Sequence, residues 1–233
     1  MRDRAALYDA VRPRVEAFFD GADPNPLQGR AAARDAAALA KAADPETDVE
    51  AAYLLGSFHW YRHQTTFDDD IHPNALGPAI RPFAIAYQAD PDFVPDTLHE
   101  YFAQALAEGK LPLNANAQAY RGRRLLARFE GTGDLRALTG SVEHFRCALA
   151  ATAEGSPERS GRLGNLCVVL HLAAEQLGSD TLMAEAVETG RAAMALASNA
   201  EEHVITQFIL ATVSAEQYGG TDQRATHAIV MSE

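Results

Sequence analysis

The sequence predicts an all-α fold: antiparallel helical hairpins stacked as a solenoid of about ten helices. Three observations lead there. The first is internal repetition, since residues 129 to 150 laid over the chain from 174 onward with a shift of 45 match Gly133 with Gly178, Val142 with Val187, Glu143 with Glu188 and Arg146 with Arg191. The second is a further start, Glu216-Gln217-Tyr218-Gly219, which repeats Glu175-Gln176-Leu177-Gly178 after a shift of 41. Periods of this length belong to stacked hairpins rather than closed enzyme folds. The third is that apolar residues recur at helical spacing along the chain and no segment alternates with period two, so no sheet is expected.

A first helix is predicted over 3 to 20, where Leu7, Val11, Val15, Phe18 and Phe19 share a face; Gly21 and Asp23-Pro24-Asn25-Pro26 stop it. An alanine-rich second helix covers 28 to 43 and ends at Asp44-Pro45. The third, 46 to 66, carries Val49, Tyr53, Leu54, Leu55, Phe58, Trp60 and Tyr61. Its apolar residues cover more than one face, which predicts a central position in the N-terminal half. Asp68-Asp69-Asp70 and His72-Pro73 read as a loop, followed by a fourth helix marked by Leu76, Ile80, Phe83, Ala84 and Tyr87, with a kink expected at Pro82. A fifth opens at Val94-Pro95, presents Leu98, Tyr101, Phe102 and Leu106, and stops at Gly109.

Further helices are predicted near 113–130, 134–152, 157–177, 180–198 and 200–218, with glycines at 131/133, 155, 178 and 219/220 between them. One expected buried stripe is Leu135, Leu138, Val142, Phe145 and Leu149; another is Leu163, Leu166, Leu170 and Leu177. The implied organisation is an N-terminal helical region (1–110), a repeat array (111–220) and a C-terminal tail (221–233).

Charge narrows the partners. Acids exceed bases by 32 to 20, for a formal net charge of −12, whereas phosphate contact requires a basic patch that releases counterions, so nucleic acid is not expected. Lys41 and Lys110 are the only lysines; positive charge rests on Arg, which suits bidentate pairing with carboxylates. No apolar run reaches the roughly 20 residues of a membrane span, and MRDRAALYDA lacks a signal-peptide core. No membrane association and a cytoplasmic location are therefore expected, and the two cysteines, Cys147 and Cys167, fit a reducing compartment.

The run Arg162-Leu163-Gly164-Asn165-Leu166 to Leu170, followed by a Gly turn and Ala186 to Ala193 (AVETGRAA), resembles the long tetratricopeptide-type (TPR) repeats of actinobacterial proteins that often carry a C-terminal CHAT (caspase-like) protease domain. Ala52 to Gln64 (AYLLGSFHWYRHQ) is similar to the L-G-x-x-H-W-Y-R block preceding those repeats, and Ala79 to Pro95 to the helix and D-P-x-x-V-P turn after it. The resemblance spans about residues 45 to 220. It implies a TPR-like right-handed solenoid and a partner such as a separately encoded effector. With the chain ending at Glu233, no protease domain and none of its chemistry is expected.

His59 and His63 lie four apart on a predicted helix, a spacing that lets two imidazoles share a metal, and Asp68, Asp69, Asp70 and His72 follow within reach. The H-E-x-x-H signature is absent, Trp60 occupies the position of its general base, and histidines on an aromatic-rich helix also serve as hydrogen-bonding core residues. Should a metal bind, His59, His63, Asp69 and His72 are the candidate ligands; otherwise no metal and no cofactor is called for. His144, Cys147, Cys167 and His171 do not have zinc-finger spacing, and the 45-residue shift sets Cys167 over Gly122, a slot for a small packed group. Gly131-Thr132-Gly133 lacks the G-K-[ST] of a phosphate cradle, and no G-x-S-x-G elbow occurs, so no catalytic residue is assigned.

Trp60, Tyr61 and Arg62 are residue types enriched at recognition hot spots, although a single Trp in a helical array also serves as a core packer. If Arg62 and Arg81 reach one cavity with Tyr53 or Tyr87, an acidic terminus or anion can be held there. The candidate binding residues are therefore Tyr53, His59, Trp60, Tyr61, Arg62, His63, Arg81 and Tyr87. The function expected is a non-enzymatic scaffold or regulatory protein that binds a protein or peptide and is compatible with a homodimer. The alternative is an enzyme or a small-molecule or metal binder using His59, His63, Asp68 to Asp70 and His72.

Overall fold

Nine α-helices and three single-turn 3-10 helices make up the regular structure of the described residues, which contain no strand. The structure is a computed structural model and describes residues 4–21, 25–65 and 77–197. The chain divides into two units, residues 1–120 and 121–233. The expected helix at 200–218 lies outside the described residues.

In the first unit α1 (Arg4–Gly21), α2 (Gly29–Ala42) and α3 (Val49–Thr65) form a three-helix layer. α3 is the inner element: residues 51, 52 and 54–58 are all buried. One of its sides, Ala51, Leu54, Leu55 and Phe58, packs with Leu7, Val11 and Val15 of α1 and Ala32, Ala36 and Leu39 of α2. Its other side, Val49 and Ala52, joins Phe83 and Ala86 of α4 (Gly77–Ala89). Gly56 makes that second contact possible, because a β-carbon there would overlap the ring of Phe83. Phe19, placed on the buried stripe of α1 by the sequence, is instead 52% exposed; it falls near the end of the helix, beyond Val15.

Asp48 fixes the start of α3. Its Oδ1 accepts from the amides of Glu50 and Ala51, both at 3.1 Å, in the manner of an N-cap. The same carboxylate accepts from Arg4 and from the Tyr8 hydroxyl, which ties α1 to the α3 terminus. Burial by itself would raise its pKa, but the bonds from Tyr8, the Ala51 amide and Arg4 hold it below the usual carboxylate value.

The fifth helix starts later than the sequence suggests. Two 3-10 turns, Pro91–Phe93 and Asp96–Leu98, precede α5 (His99–Ala107). Pro91 and Pro95 each lack an amide donor, so short turns replace a continuous first helical turn. His99 joins them: its Nε2 lies 2.9 Å from the Pro91 oxygen and 2.8 Å from that of Val94, and because both partners only accept, Nε2 carries the proton. Tyr101, expected on the packed stripe, is 53% exposed.

Buried Gln88 then secures the next turn. Its Nε2 donates to the carbonyls of Ala84 and Pro112, and its Oε1 accepts from the Asn114 amide at 2.8 Å. Asn114 in turn donates to the Glu46 carbonyl and accepts from the Ala117 amide, so it caps α6 (Ala115–Thr132).

In the second unit three of the four pairs matched by the 45-residue shift have matching structure; in the fourth, Arg146 is half-buried and bonded to Glu185 whereas Arg191 is exposed. Gly133 (φ 69°) ends α6 and Gly178 (φ 61°) ends α8 (Arg159–Leu177), both left-handed. Asp134 then caps α7 (Leu135–Ala150) by accepting from the Arg136 amide, as Ser179 caps α9 (Asp180–Leu196) by accepting from that of Leu182. Val142 and Val187 are both buried, and Glu143 and Glu188 both exposed. Close approach within the first hairpin depends on Gly122, whose carbonyl accepts from the Ser141 hydroxyl at 2.8 Å and where an added β-carbon would lie 3.1 Å from the ring of Phe145. Leu135 and Leu177, assigned to buried stripes, are 43% exposed, because each sits at a helix end where the stripe runs past its neighbour.

Leu166 and Leu170 are buried within α8, so replacing either by Ala should lower unfolding free energy by about 2–5 kcal/mol. Denaturant titration showing less than about 1 kcal/mol at both would mean that the packed face is wrong. Gly56→Ala should destabilise by about 1–3 kcal/mol through overpacking, despite the better helix propensity of Ala. A double-mutant cycle should show this penalty shrinking when Phe83→Leu makes room.

Candidate functional site

The H-W-Y-R block occupies the last two turns of α3, and its side chains diverge. Tyr61 stacks on Phe18 of α1 at 4.5 Å between ring centroids and meets the edge of Phe19 at 4.9 Å. Burial, followed by the nearby Tyr53, pushes its hydroxyl up to about 12, as expected for a core phenol. Trp60 points the other way and meets the Phe83 ring edge-on at 6.3 Å. His59 sits edge-on to Phe58, and burial, then the charge of Arg62, lowers its pKa. Arg62 lies 6.0 Å over the Phe58 ring, a cation–π arrangement, and His63 is half-buried.

The remaining candidates stand elsewhere. Tyr53 packs at 5.1 Å against Phe93, while Tyr87 stacks on Phe102 and touches His99, both at 5.5 Å. Arg81 pairs with Glu46, Nε to Oε1 at 2.8 Å. A cavity of about 430 Å³ lies beside this pair, with Ile80, Ile85, Gln88 and Leu111 in its lining. Among the described residues its walls include Arg81 but not Arg62, Tyr53 or Tyr87. Tyr53, Trp60, Tyr61 and Tyr87 thus take part in aromatic packing and Arg81 in a surface ion pair, and of the eight residues Arg81 lines the 430 Å³ cavity.

Asp68, Asp69, Asp70 and His72 lie outside the described residues, and among those described no three His, Cys, Asp or Glu side chains are grouped to hold a metal. Cys167 fills a buried slot in α8, and burial raises its thiol to about 11, far from the thiolate that a ligand or nucleophile requires. Cys147 is half-buried. His144 is pushed down to about 4, first by burial and then by the charge of Arg121.

A larger cavity, about 770 Å³, lies where α1 and α2 meet; Arg4 and Leu7 line it from α1, and Arg34, Asp35, Ala38, Lys41 and Ala42 from α2. Asp35 is buried and bonded by Arg14 of α1 at 2.9 Å. Sequence reading did not single out this groove, because an Ala-rich stripe looks like core. The available signal was the placement of Arg34, Ala38, Lys41 and Ala42 at i, i+4, i+7 and i+8 on α2.

His144 yields a pH prediction. An unfolded imidazole protonates near pH 6.5, but the folded one stays neutral down to about 4, so unfolding takes up a proton between those values. Stability should therefore fall as pH drops from about 6.5 to about 4, and His144→Gln should flatten that decline in urea titrations at several pH values. His59, lowered in the same direction, will leave part of the slope in place.

No described helix is long and apolar enough to cross a membrane. No family model matches the chain, and neither the curated proteins nor the solved structures contain a significant match to it.

Proposed function

We propose that this chain is a non-enzymatic helical-repeat scaffold or regulatory protein, a TPR-like right-handed solenoid that binds a partner protein or peptide. The observation carrying this reading is the equivalence of the hairpins α6–α7 and α8–α9, which share a left-handed glycine turn, a side-chain cap after it and a buried valine at the same position. Repeated hairpins of this kind build extended binding faces from their first helices. Here those helices expose Arg123, Arg124 and Arg128 on α6 and Asn165 and Val168 on α8. The likeness of the H-W-Y-R block and of the 162–193 run to CHAT-associated repeats supports the same reading and suggests a separately encoded effector in the cytoplasm as the partner.

Peptide arrays probed with the full chain, together with native mass spectrometry of the purified protein, test the reading. Saturable capture of peptides supports it. No captured peptide, with a small molecule co-purifying stoichiometrically, overturns it.

Arg62→Ala separates a packing role from a binding role for the block. With Arg62 over Phe58 beside the α3 core, the variant should lose about 2–4 °C of Tm, roughly 1 kcal/mol for a chain of this size, and keep its affinity for captured peptides. An affinity loss of about 2 kcal/mol at unchanged Tm would instead assign Arg62 to partner contact.

A further inference from the structure

We infer that the groove between α1 and α2 is a docking site for an acidic amphipathic helix of a partner protein. This inference deepens the partner-binding reading and rests on it, while assigning the contact to a surface remote in sequence from the repeated hairpins.

Shape comes first. The groove encloses about 770 Å³, within the range of specific binding clefts, and its floor is apolar, formed by Leu7, Ala38 and Ala42. Ala38 and Ala42 succeed each other at i, i+4, with Arg34 one turn before them on the same row, so over the last turn of that row only methyl groups separate an incoming helix from the backbone. An approaching helix can place its apolar ridge in this trough, the mode in which grooves between helices recognise amphipathic partners.

Charge selects the partner. Among the described residues Arg4, Arg34 and Lys41 surround the floor and a single carboxylate, Asp35, lines it. That carboxylate is buried and satisfied by Arg14 at 2.9 Å, so it offers little negative charge to a ligand. Arg34 is 70% exposed and reaches Asp35 only at 3.9 Å, while Arg4 is shared with Asp48. Lys41 is exposed and has no ion pair among the described residues. The rim is thus cationic in a chain whose formal charge is −12. Arg34 and Lys41 stand seven residues, about two helical turns or roughly 10 Å, apart on α2. Acidic residues two turns apart beside an apolar stripe of the partner helix meet both cations.

The test is selection from a displayed library of amphipathic helices, with a fixed Leu/Ala stripe and randomised flanking positions, panned on the full chain. Three baits are used: the wild type, the charge-reversed Arg34→Glu/Lys41→Glu variant and Val168→Asp, which alters the α8 surface. Circular dichroism establishes that each bait is folded. The expected result is that wild-type selection enriches Asp and Glu at flanking positions about two turns apart. The selected peptides should bind the double variant at least about tenfold more weakly and Val168→Asp equally well, and selection on the double variant should enrich Lys and Arg instead. The same sequences emerging from wild type and double variant would overturn the groove assignment. Loss of binding only in Val168→Asp would overturn it and leave partner binding by the repeated hairpins standing. Displacement of every selected peptide by dodecanoate, with dodecanoate binding more tightly than any of them, would reassign the groove to a small amphiphilic acid. Failure of all three baits to select any helix would overturn the groove assignment, and the peptide arrays then decide the broader partner-binding reading separately.

Discussion

The first unit is organised by the burial of α3. Residues 51, 52 and 54–58 are withdrawn from water on successive faces, so the helix requires neighbours on two sides at once. α1 and α2 provide one layer and α4 the other, and Gly56 lets Phe83 close the second contact. The aromatic pairs at its C-terminal end, Tyr61 on Phe18 and Trp60 against Phe83, extend the two layers in opposite directions.

An apolar inner helix leaves its polar ends to be satisfied by particular side chains. Asp48 supplies the start of α3 and holds α1 through Arg4 and Tyr8. Gln88 and Asn114 do the equivalent work around α4, meeting the Pro112 and Glu46 carbonyls and opening α6. These bonds contribute specificity more than net stability, since each replaces a bond to water; leaving one partner alone in the interior costs more than the pair contributes. They set which helix end meets which turn, a choice that apolar contacts leave open.

Helical periodicity made most of this architecture legible. Val11 and Val15, Leu54 and Phe58, Val142 and Phe145, and Leu166 and Leu170 are all buried where their spacing suggested. The 45-residue shift located two glycine turns whose left-handed backbone is the physical reason for the match. Errors gathered at helix ends, as at Phe19, Leu135 and Leu177, because periodicity says which face a residue lies on but not how far the neighbouring helix extends. The late start of α5 depended on two prolines and on a His99 bond to carbonyls five and eight residues earlier, a contact that no local pattern encodes. The candidate site was less legible still. Tyr53, Arg62, Arg81 and Tyr87 each have the right chemistry for binding, but whether such residues converge is a property of helix packing that no local pattern encodes.

The α1–α2 groove shows the converse. Alanine carries almost no chemical information in a sequence, yet on α2 it is the lack of side-chain bulk at Ala38 and Ala42 that opens space, and Arg34 and Lys41 gain meaning only as that space's rim. Buried Asp35 makes the same point electrostatically. As a letter in an acidic chain it adds one negative charge; bonded to Arg14 inside the fold it is neutralised, and the outward-facing potential belongs to the cations around it. A net charge of −12 therefore coexists with a local surface suited to an acidic partner. Overall charge does not describe any one groove, because recognition acts over distances comparable with the Debye length of roughly 8–10 Å.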